Sequence, residues 1–75
     1  MFKNAINEQM IKWKVENPNQ LSKLAGIDYR TAVKAVNTND YMSPISIAKI
    51  AKVFGFSGWV TFRKYAVEKH INEEV

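Results

Sequence analysis

Residues 20–37, QLSKLAGIDYRTAVKAVN, predict two short helices joined by a tight turn. Leu21, Leu24 and Ala25 recur at the spacing i, i+3 and i+4, which gives the first helix an apolar face. Gly26 follows where a helix ends in a left-handed residue, a conformation that glycine adopts without a Cβ clash. The segment therefore bends sharply at this glycine and continues as a second helix.

Polar residues at both helix starts support this division. Asn17 can cap the first helix, Pro18 suits its first position because proline has no N–H to satisfy, and Gln20 can complete a capping box. At the corner, Ile27 can fill the core, and Asp28 can cap the second helix.

The second helix is predicted over about residues 29–36. Its inward side carries the small residues Ala32 and Ala35, with Val36 beside them, so two helices can approach closely at a steep angle. Asn37, which tolerates the left-handed conformation, can end the helix. The side chains that point away from the core are then Tyr29, Arg30, Val33 and Lys34.

The sequences on either side predict further helices and no strand. A first helix, about 3–16, has an apolar stripe made of Phe2, Ile6, Met10 and Trp13. A fourth helix follows the cap Ser43 and ends at Gly55, with Phe56 filling the return. Its apolar face consists of Ile47, Ile50, Ala51 and Phe54, with Lys49 and Lys52 roughly opposite. The fold class is therefore all-α: a compact, orthogonal five-helix bundle forming one domain over residues 1–75.

Helix five, about 58–72 after the cap Ser57, carries more apolar surface than one core needs. Its apolar arc spans about 240°, against the roughly 100° stripe of a helix that covers one core. Trp59, Phe62 and Ala66 cluster on one side, and Val60, Val67 and Ile71 form a second cluster roughly a quarter turn away. One cluster is expected to pack inside and the other to meet a second subunit, although a small bundle could cover both faces with its first helix. The residues of the predicted dimer interface are Trp59, Val60, Phe62, Val67 and Ile71.

The charge is unevenly distributed. Residues 1–64 contain ten Lys and Arg and four Asp and Glu, a net charge of +6, whereas residues 65–75 contain one Lys and three Glu, a net charge of −2. A basic body favours a polyanionic partner, because Lys and Arg displace counterions from phosphates. Solvated surface lysines would give the same total.

The sequence lacks the residues that enzymes, metal-binding proteins and membrane proteins need. The chain has no cysteine and one histidine, His70, so we expect no disulfide, metal site or cofactor. No paired acids, nucleophile–base set or glycine-rich phosphate loop is visible, which predicts that the protein is not an enzyme. No apolar run approaches the ~20 residues that span a bilayer, and charges interrupt residues 2–15, which argues against a signal peptide. A cytoplasmic, nucleoid-associated protein is expected.

The run LAGIDYRTAVKAVN resembles the DNA-reading helices of the lactose-repressor family, and IAKIAKVFGFS resembles the fourth helix and turn of the Cro/XRE repressor family. The second resemblance covers about residues 2–62 and is preferred. Pro18 replaces a phosphate-binding Gln common in that family, so Asn19 or Gln20 would have to substitute, and Ser22 stands where Ala is usual. The resemblance implies a lambda-repressor-like helix-turn-helix fold.

It also implies a phage-like homodimer that represses transcription from a palindromic operator of double-stranded DNA, with no small-molecule ligand. The positions of base-reading residues in that family correspond to Tyr29, Arg30 and Lys34, and Val33 can either meet a thymine methyl group or complete the core. The candidate phosphate contacts are Asn19, Gln20, Lys23, Thr31, Asn37, Thr38 and Asn39. Two alternatives stay open: an antitoxin- or antirepressor-like module that binds protein, and an accessory factor that bends DNA during recombination.

Overall fold

The computed structural model describes residues 1–74, with side chains through Ile71, and in this range the chain forms five helices and no strand. The helices are α1 (Phe2–Trp13), α2 (Pro18–Ala25), α3 (Tyr29–Asn37), α4 (Pro44–Val53) and α5 (Trp59–Glu74). The all-helical prediction is confirmed. No described helix is long and apolar enough to cross a membrane. The side chains of the acidic residues Glu73 and Glu74 lie outside the part that the structure describes.

The helices enclose one apolar core. α1 packs against α3 and α5, α2 packs against α3 and α4, and α4 packs against α5. The largest fully buried side chains are Ile6, Leu21, Ile50 and Phe62, one each from α1, α2, α4 and α5. The predicted apolar face of α4 is confirmed, since all four of its residues are buried, whereas Lys49 and Lys52 lie on the outer side of the helix.

Phe62 lies at the centre of an aromatic cluster. Its ring centroid is 5.0 Å from that of Phe56, 5.9 Å from Phe2, 6.0 Å from Tyr65 and 6.4 Å from Phe54. Offset and edge-to-face pairs at such separations are favourable beyond the area that they bury. The cluster joins the start of α1, the end of α4 and the first half of α5.

Three helix starts are capped as the sequence predicts. Oδ1 of Asn17 accepts from the backbone N–H of Gln20 at 2.9 Å, a carboxylate oxygen of Asp28 accepts from Arg30 N–H at 3.1 Å, and Ser43 Oγ accepts from Ser46 N–H at 3.2 Å. The capping box of α2 differs in one detail. The side-chain oxygen of Gln20 accepts from the N–H of Glu16, one residue before the cap.

The start of α5 differs from the prediction. Gly58, not Ser57, precedes the first helical residue, and the N–H of Phe62 donates to its carbonyl at 3.2 Å. Thr61 reaches back to the Gly58 N–H at 3.2 Å, and its hydroxyl lies 3.1 Å from that of Ser57. Ser57 therefore supports the first turn through Thr61.

Left-handed residues end α1 and α2 but not α3. Gly26 adopts φ 68° and ends α2 as predicted. α1 ends earlier than predicted, because Lys14 takes the left-handed conformation with φ 58° and the Val15 N–H then donates to the Met10 carbonyl at 2.8 Å. The prediction that a left-handed Asn37 ends α3 is wrong: Asn37 is helical, and the extended Thr38 follows it as the C-cap.

Replacing Lys14 with glycine should stabilise the fold. A lysine with φ 58° has a Cβ clash that glycine lacks, and this clash costs roughly 1–2 kcal/mol. The greater freedom of glycine in the unfolded chain offsets part of the gain. We expect Lys14→Gly to raise the free energy of unfolding by about 0.5 kcal/mol in urea denaturation. An unchanged or lower value would contradict the strained geometry.

Two apolar residues are more exposed than their spacing predicts. Leu24 is 62% exposed, so only Leu21 of the predicted α2 face is fully buried. Trp13 is 50% exposed at the end of α1, where its indole N–H donates to the Gln9 side chain at 3.2 Å. Both residues lie in the last turn of a helix, where the neighbouring elements cover them only in part.

A polar network fixes α5 on α1. Gln9, which is 6% exposed, donates through Nε2 to the Tyr65 hydroxyl at 3.1 Å. That hydroxyl donates to a carboxylate oxygen of Glu8 at 2.7 Å, and Glu8 also forms an ion pair with Lys69. The network satisfies the buried amide and sets the register of the two helices.

Removing the hydroxyl of Tyr65 should weaken this junction. Tyr65→Phe leaves the buried Gln9 amide without its acceptor and removes one donor to the Glu8 carboxylate, which keeps its ion pair with Lys69. An unsatisfied buried polar group costs about 1–3 kcal/mol. We expect the free energy of unfolding to fall by about 1–2 kcal/mol. Tyr29→Phe, which removes an exposed hydroxyl, serves as the control. Equal effects of the two substitutions would show that the network contributes nothing.

Candidate nucleic-acid interface

α2 and α3 are joined by only three residues, Gly26 to Asp28. The two helices pack directly against each other. On α3 the buried residues are Ala32 and Ala35, whose small side chains permit close approach. Ile27 is partly buried against the core, as predicted. The inner side of α3 is therefore held by α1 and α2.

The outer side of α3 carries the predicted base-reading residues. Arg30 and Lys34 are exposed and lie one turn apart, since residues at i and i+4 are neighbours on a helix surface. Beside this pair runs a second row at the same spacing, made of Tyr29, Val33 and Asn37. Tyr29 is 54% exposed and Val33 is partly buried. The two rows form one surface, which we call the α3 outer face.

The polar groups of this face are not engaged by the rest of the protein. Within the described part of the chain, the side chains of Tyr29, Arg30 and Lys34 form no hydrogen bond or ion pair. The nearby carboxylate of Asp28 accepts from a backbone N–H at the start of α3. The α3 outer face therefore presents two cations and a phenol hydroxyl whose donors are available to an acceptor outside the chain.

The predicted phosphate contacts near α2 and the start of α3 remain at the surface. Asn19 and Lys23 are exposed, and Gln20 and Thr31 are partly exposed. The oxygen of the Gln20 amide is used by the Glu16 N–H, but its NH₂ group keeps two donors. These residues can donate hydrogen bonds to an anion without disrupting the helix cap.

The residues after α3 have internal partners. Thr38 donates through its hydroxyl to the Lys34 carbonyl at 2.9 Å and accepts from the Asp40 N–H at 3.2 Å. Asn39 accepts through Oδ1 from the Met1 ammonium group and from the Lys3 N–H. Burial lowers the pKa of that ammonium group. Thr38 therefore stabilises the end of α3 through local hydrogen bonds, whereas the side-chain oxygen of Asn39 binds the start of α1. The sequence does not reveal this role of Asn39 because its partners lie 38 and 36 residues away.

The predicted dimer interface on α5 contains one buried residue and four that are exposed or partly exposed. Phe62 is 0% exposed, so its assignment to an intermolecular surface is corrected: it belongs to the core of one chain. Val60 and Ile71 are 64% and 54% exposed, and Val67 is partly exposed. Trp59 is 38% exposed and lines a cavity of about 280 Å³ beside the loop after α3.

Three exposed apolar residues are not singled out by the sequence analysis, and the first of them, Ile11 in α1, is 81% exposed. Tyr41 in the loop after α3 is 78% exposed, and Ile45 in the first turn of α4 is 70% exposed. A helical wheel of α4 already places Ile45 away from Ile47 and Ile50, so the signal was present for this residue. No pattern in the loop indicates the exposure of Tyr41.

Comparison with known proteins gives no assignment: no family model, curated protein or solved structure matches the chain. The site must therefore be interpreted from its own residues.

Proposed function

We propose that the protein is a sequence-specific regulator of transcription that binds double-stranded DNA. In this proposal α2, the turn at Gly26 and α3 form a helix-turn-helix within an orthogonal, lambda-repressor-like bundle, and α3 lies in the major groove. The protein would act as a Cro-like repressor by covering a promoter.

The α3 outer face is the observation that carries the proposal. A helix that reads DNA must be fixed on its inner side and must offer free donors on its outer side. Ala32 and Ala35 meet the first requirement, and the unpartnered cations Arg30 and Lys34 meet the second. The net charge of +6 over residues 1–64 adds attraction to phosphates.

The contacts divide by role. The Arg30 guanidinium can donate two hydrogen bonds to O6 and N7 of a guanine, and Lys34 can donate to an acceptor one or two base pairs away. Val33 can pack against a thymine methyl group, and Tyr29 can donate its hydroxyl to a base edge or a phosphate. Asn19, Gln20 and Lys23 would hold the phosphate backbone and set the register of α3.

Selection of bound duplexes from a random pool tests the proposal directly. We expect enrichment of a short motif containing guanine, and an inverted repeat if two copies bind together. Half-sites should be centred about one helical turn apart. Recovery of unenriched sequences, or no binding at about 50 mM salt, would contradict sequence-specific recognition.

A backbone contact should behave differently from a base contact. Lys23→Ala should weaken binding to every duplex by a similar factor and lower the salt slope by about 1, because one phosphate neutralisation is lost. Fluorescence anisotropy across a salt series measures both quantities. Lys49→Ala removes a lysine from the outer side of α4 and is the charge-matched control. A change in operator preference in Lys23→Ala would contradict its proposed role.

The exposed apolar residues support a second candidate, a module that binds another protein. Leu24, Tyr41 and Ile45 are 62%, 78% and 70% exposed and lie outside the α3 outer face. If the protein is such a module, Arg30→Ala should leave the phenotype of cells that depend on the protein unchanged, whereas Tyr41→Ala and Ile45→Ala should impair it. For the DNA-binding proposal the pattern should be reversed.

A further inference from the structure

α5 has an exposed apolar stripe on the side turned away from the core. Val60, Val67 and Ile71 follow one another at i, i+7 and i+11, which places them on one side of a helix. Phe62 and Ala66, both 0% exposed, lie roughly opposite. We call the first set the α5 stripe. Apolar side chains aligned on one side of a surface helix offer a face that a partner can cover.

The charges beside the α5 stripe indicate which partner covers it. Lys64 and Glu68 are exposed, lie four residues apart and border the same edge of the stripe. Within residues 1–71 neither has an ion-pair partner. A surface with one positive and one negative group along one edge can be complementary to itself.

Only one orientation makes it so. When two copies of α5 pack side by side in parallel, residues at the same level meet. Lys64 of one copy then lies level with Lys64 of the other, and like charges come together. When they pack antiparallel about a two-fold axis at the level of Ala66, the same edge of each helix meets, and Lys64 faces Glu68 of the second copy. The reciprocal pair forms on the other side of the axis, as an isologous interface requires.

The same register also pairs the apolar residues. The two copies of Val67 lie beside the axis, and Val60 of each copy comes level with the turn that carries Ile71 of the other. We propose that α5 binds a second copy of this chain in antiparallel orientation, with the α5 stripe at the centre and two Lys64–Glu68 ion pairs at its edge.

The interface is small. Three aliphatic side chains expose far less than the roughly 800 Å² per partner of a standard stable interface. We therefore expect dissociation constants in the micromolar range in solution. A further expectation rests on the proposed function. Two adjacent half-sites on one DNA would raise the effective concentration of one copy of the chain at the other and so complete the dimer.

Single cysteines test the orientation, because the natural chain has none. In the antiparallel register the two copies of residue 60 are about 18 Å apart along the helix axes and those of residue 71 about 15 Å, at roughly 1.5 Å per residue. Under mild oxidation, Val67→Cys should form a homodimeric disulfide, and a mixture of Val60→Cys and Ile71→Cys should form the mixed dimer. Neither of these two variants alone should cross-link faster than the surface control Lys49→Cys.

Every other pattern overturns the proposal. Fast self-coupling of Val60→Cys and of Ile71→Cys would show a parallel pair, and rates equal to the control for all variants would show that α5 does not associate. No DNA is present, so this outcome is independent of DNA binding. A positive cross-linking pattern in a protein that selects no duplex would contradict the proposed function and leave the dimer intact.

Charge reversal gives a second, quantitative test. Lys64→Glu and Glu68→Lys each place two like-charged pairs in the antiparallel interface and should raise the dissociation constant of the dimer by at least about tenfold. The double variant restores opposite charges and should return the constant to within about threefold of the natural value. Sedimentation equilibrium measures all three, with circular dichroism to show that each variant folds. A double variant as weak as the single ones would contradict the ion pairs.

Discussion

Phe62→Ala should remove a large part of the stability of the fold. The side chain is 0% exposed and its ring contacts four other aromatic rings, so truncation leaves a cavity that several elements share. Such substitutions cost about 3–5 kcal/mol, against a total of roughly 4–11 kcal/mol for a domain of this length. We expect the urea midpoint to fall by at least about 1.5 M with an m-value near 2 kcal/mol/M.

The same helix provides the control. Val60→Ala truncates an apolar residue that is 64% exposed on the opposite side of α5 and should change the free energy of unfolding by less than about 0.5 kcal/mol at concentrations where the chain is monomeric. A comparable loss in the two variants would show that the core extends to the α5 stripe. A loss below about 1.5 kcal/mol for Phe62→Ala would contradict the aromatic cluster as the centre of the core.

The ends of the helices were predictable because their causes are local. Asn17, Asp28 and Ser43 each cap a helix whose free N–H lies two or three residues away, so the sequence contains both partners. Gly26 is equally local, since its left-handed conformation depends on the absence of its own Cβ. Lys14 adopts the same conformation, but lysine carries no such signal, and the end of α1 was predicted too late.

Burial was less predictable because it depends on neighbours from other helices. The wheel of α2 places Leu21 and Leu24 on one face, yet only Leu21 lies beneath α3 and α4. For α5 the wheel indicated an apolar arc too broad for one core but could not show which part faces inward. The wheel separates Phe62 from Val60, but the predicted dimer interface includes both; in the structure Phe62 is buried in the core and Val60 is exposed.

In the candidate site, too, features with local causes were predictable and long-range contacts were not. The exposed positions of Arg30 and Lys34 follow from the period of α3 alone, and the structure has them there. Asn39 looked equally free in the sequence, but its side-chain oxygen binds the first residues of the chain, almost forty positions away. A long-range polar contact of this kind leaves no pattern in a single sequence.

Arg30→Ala should abolish discrimination at one base pair of each half-site. In the proposed complex the guanidinium is the group that distinguishes guanine, through two hydrogen bonds worth roughly 1–3 kcal/mol. The preferred duplex should therefore bind about 5- to 150-fold more weakly, whereas duplexes already substituted at that position should bind almost as before. Because Arg30 is exposed and has no partner in the described chain, the free energy of unfolding should stay within about 0.5 kcal/mol of the natural value.

Arg30→Lys separates recognition from charge. Lysine keeps the positive charge and therefore the salt dependence of binding, but its ammonium group lacks the planar fork that matches O6 and N7 of guanine. We expect Arg30→Lys to show the salt slope of the natural protein together with reduced selectivity at the same base pair. Competition binding with single-base operator variants measures this selectivity. If Arg30→Ala and Arg30→Lys both keep the full preference, α3 does not read bases through this residue, and the assignment of the α3 outer face to the major groove fails with it.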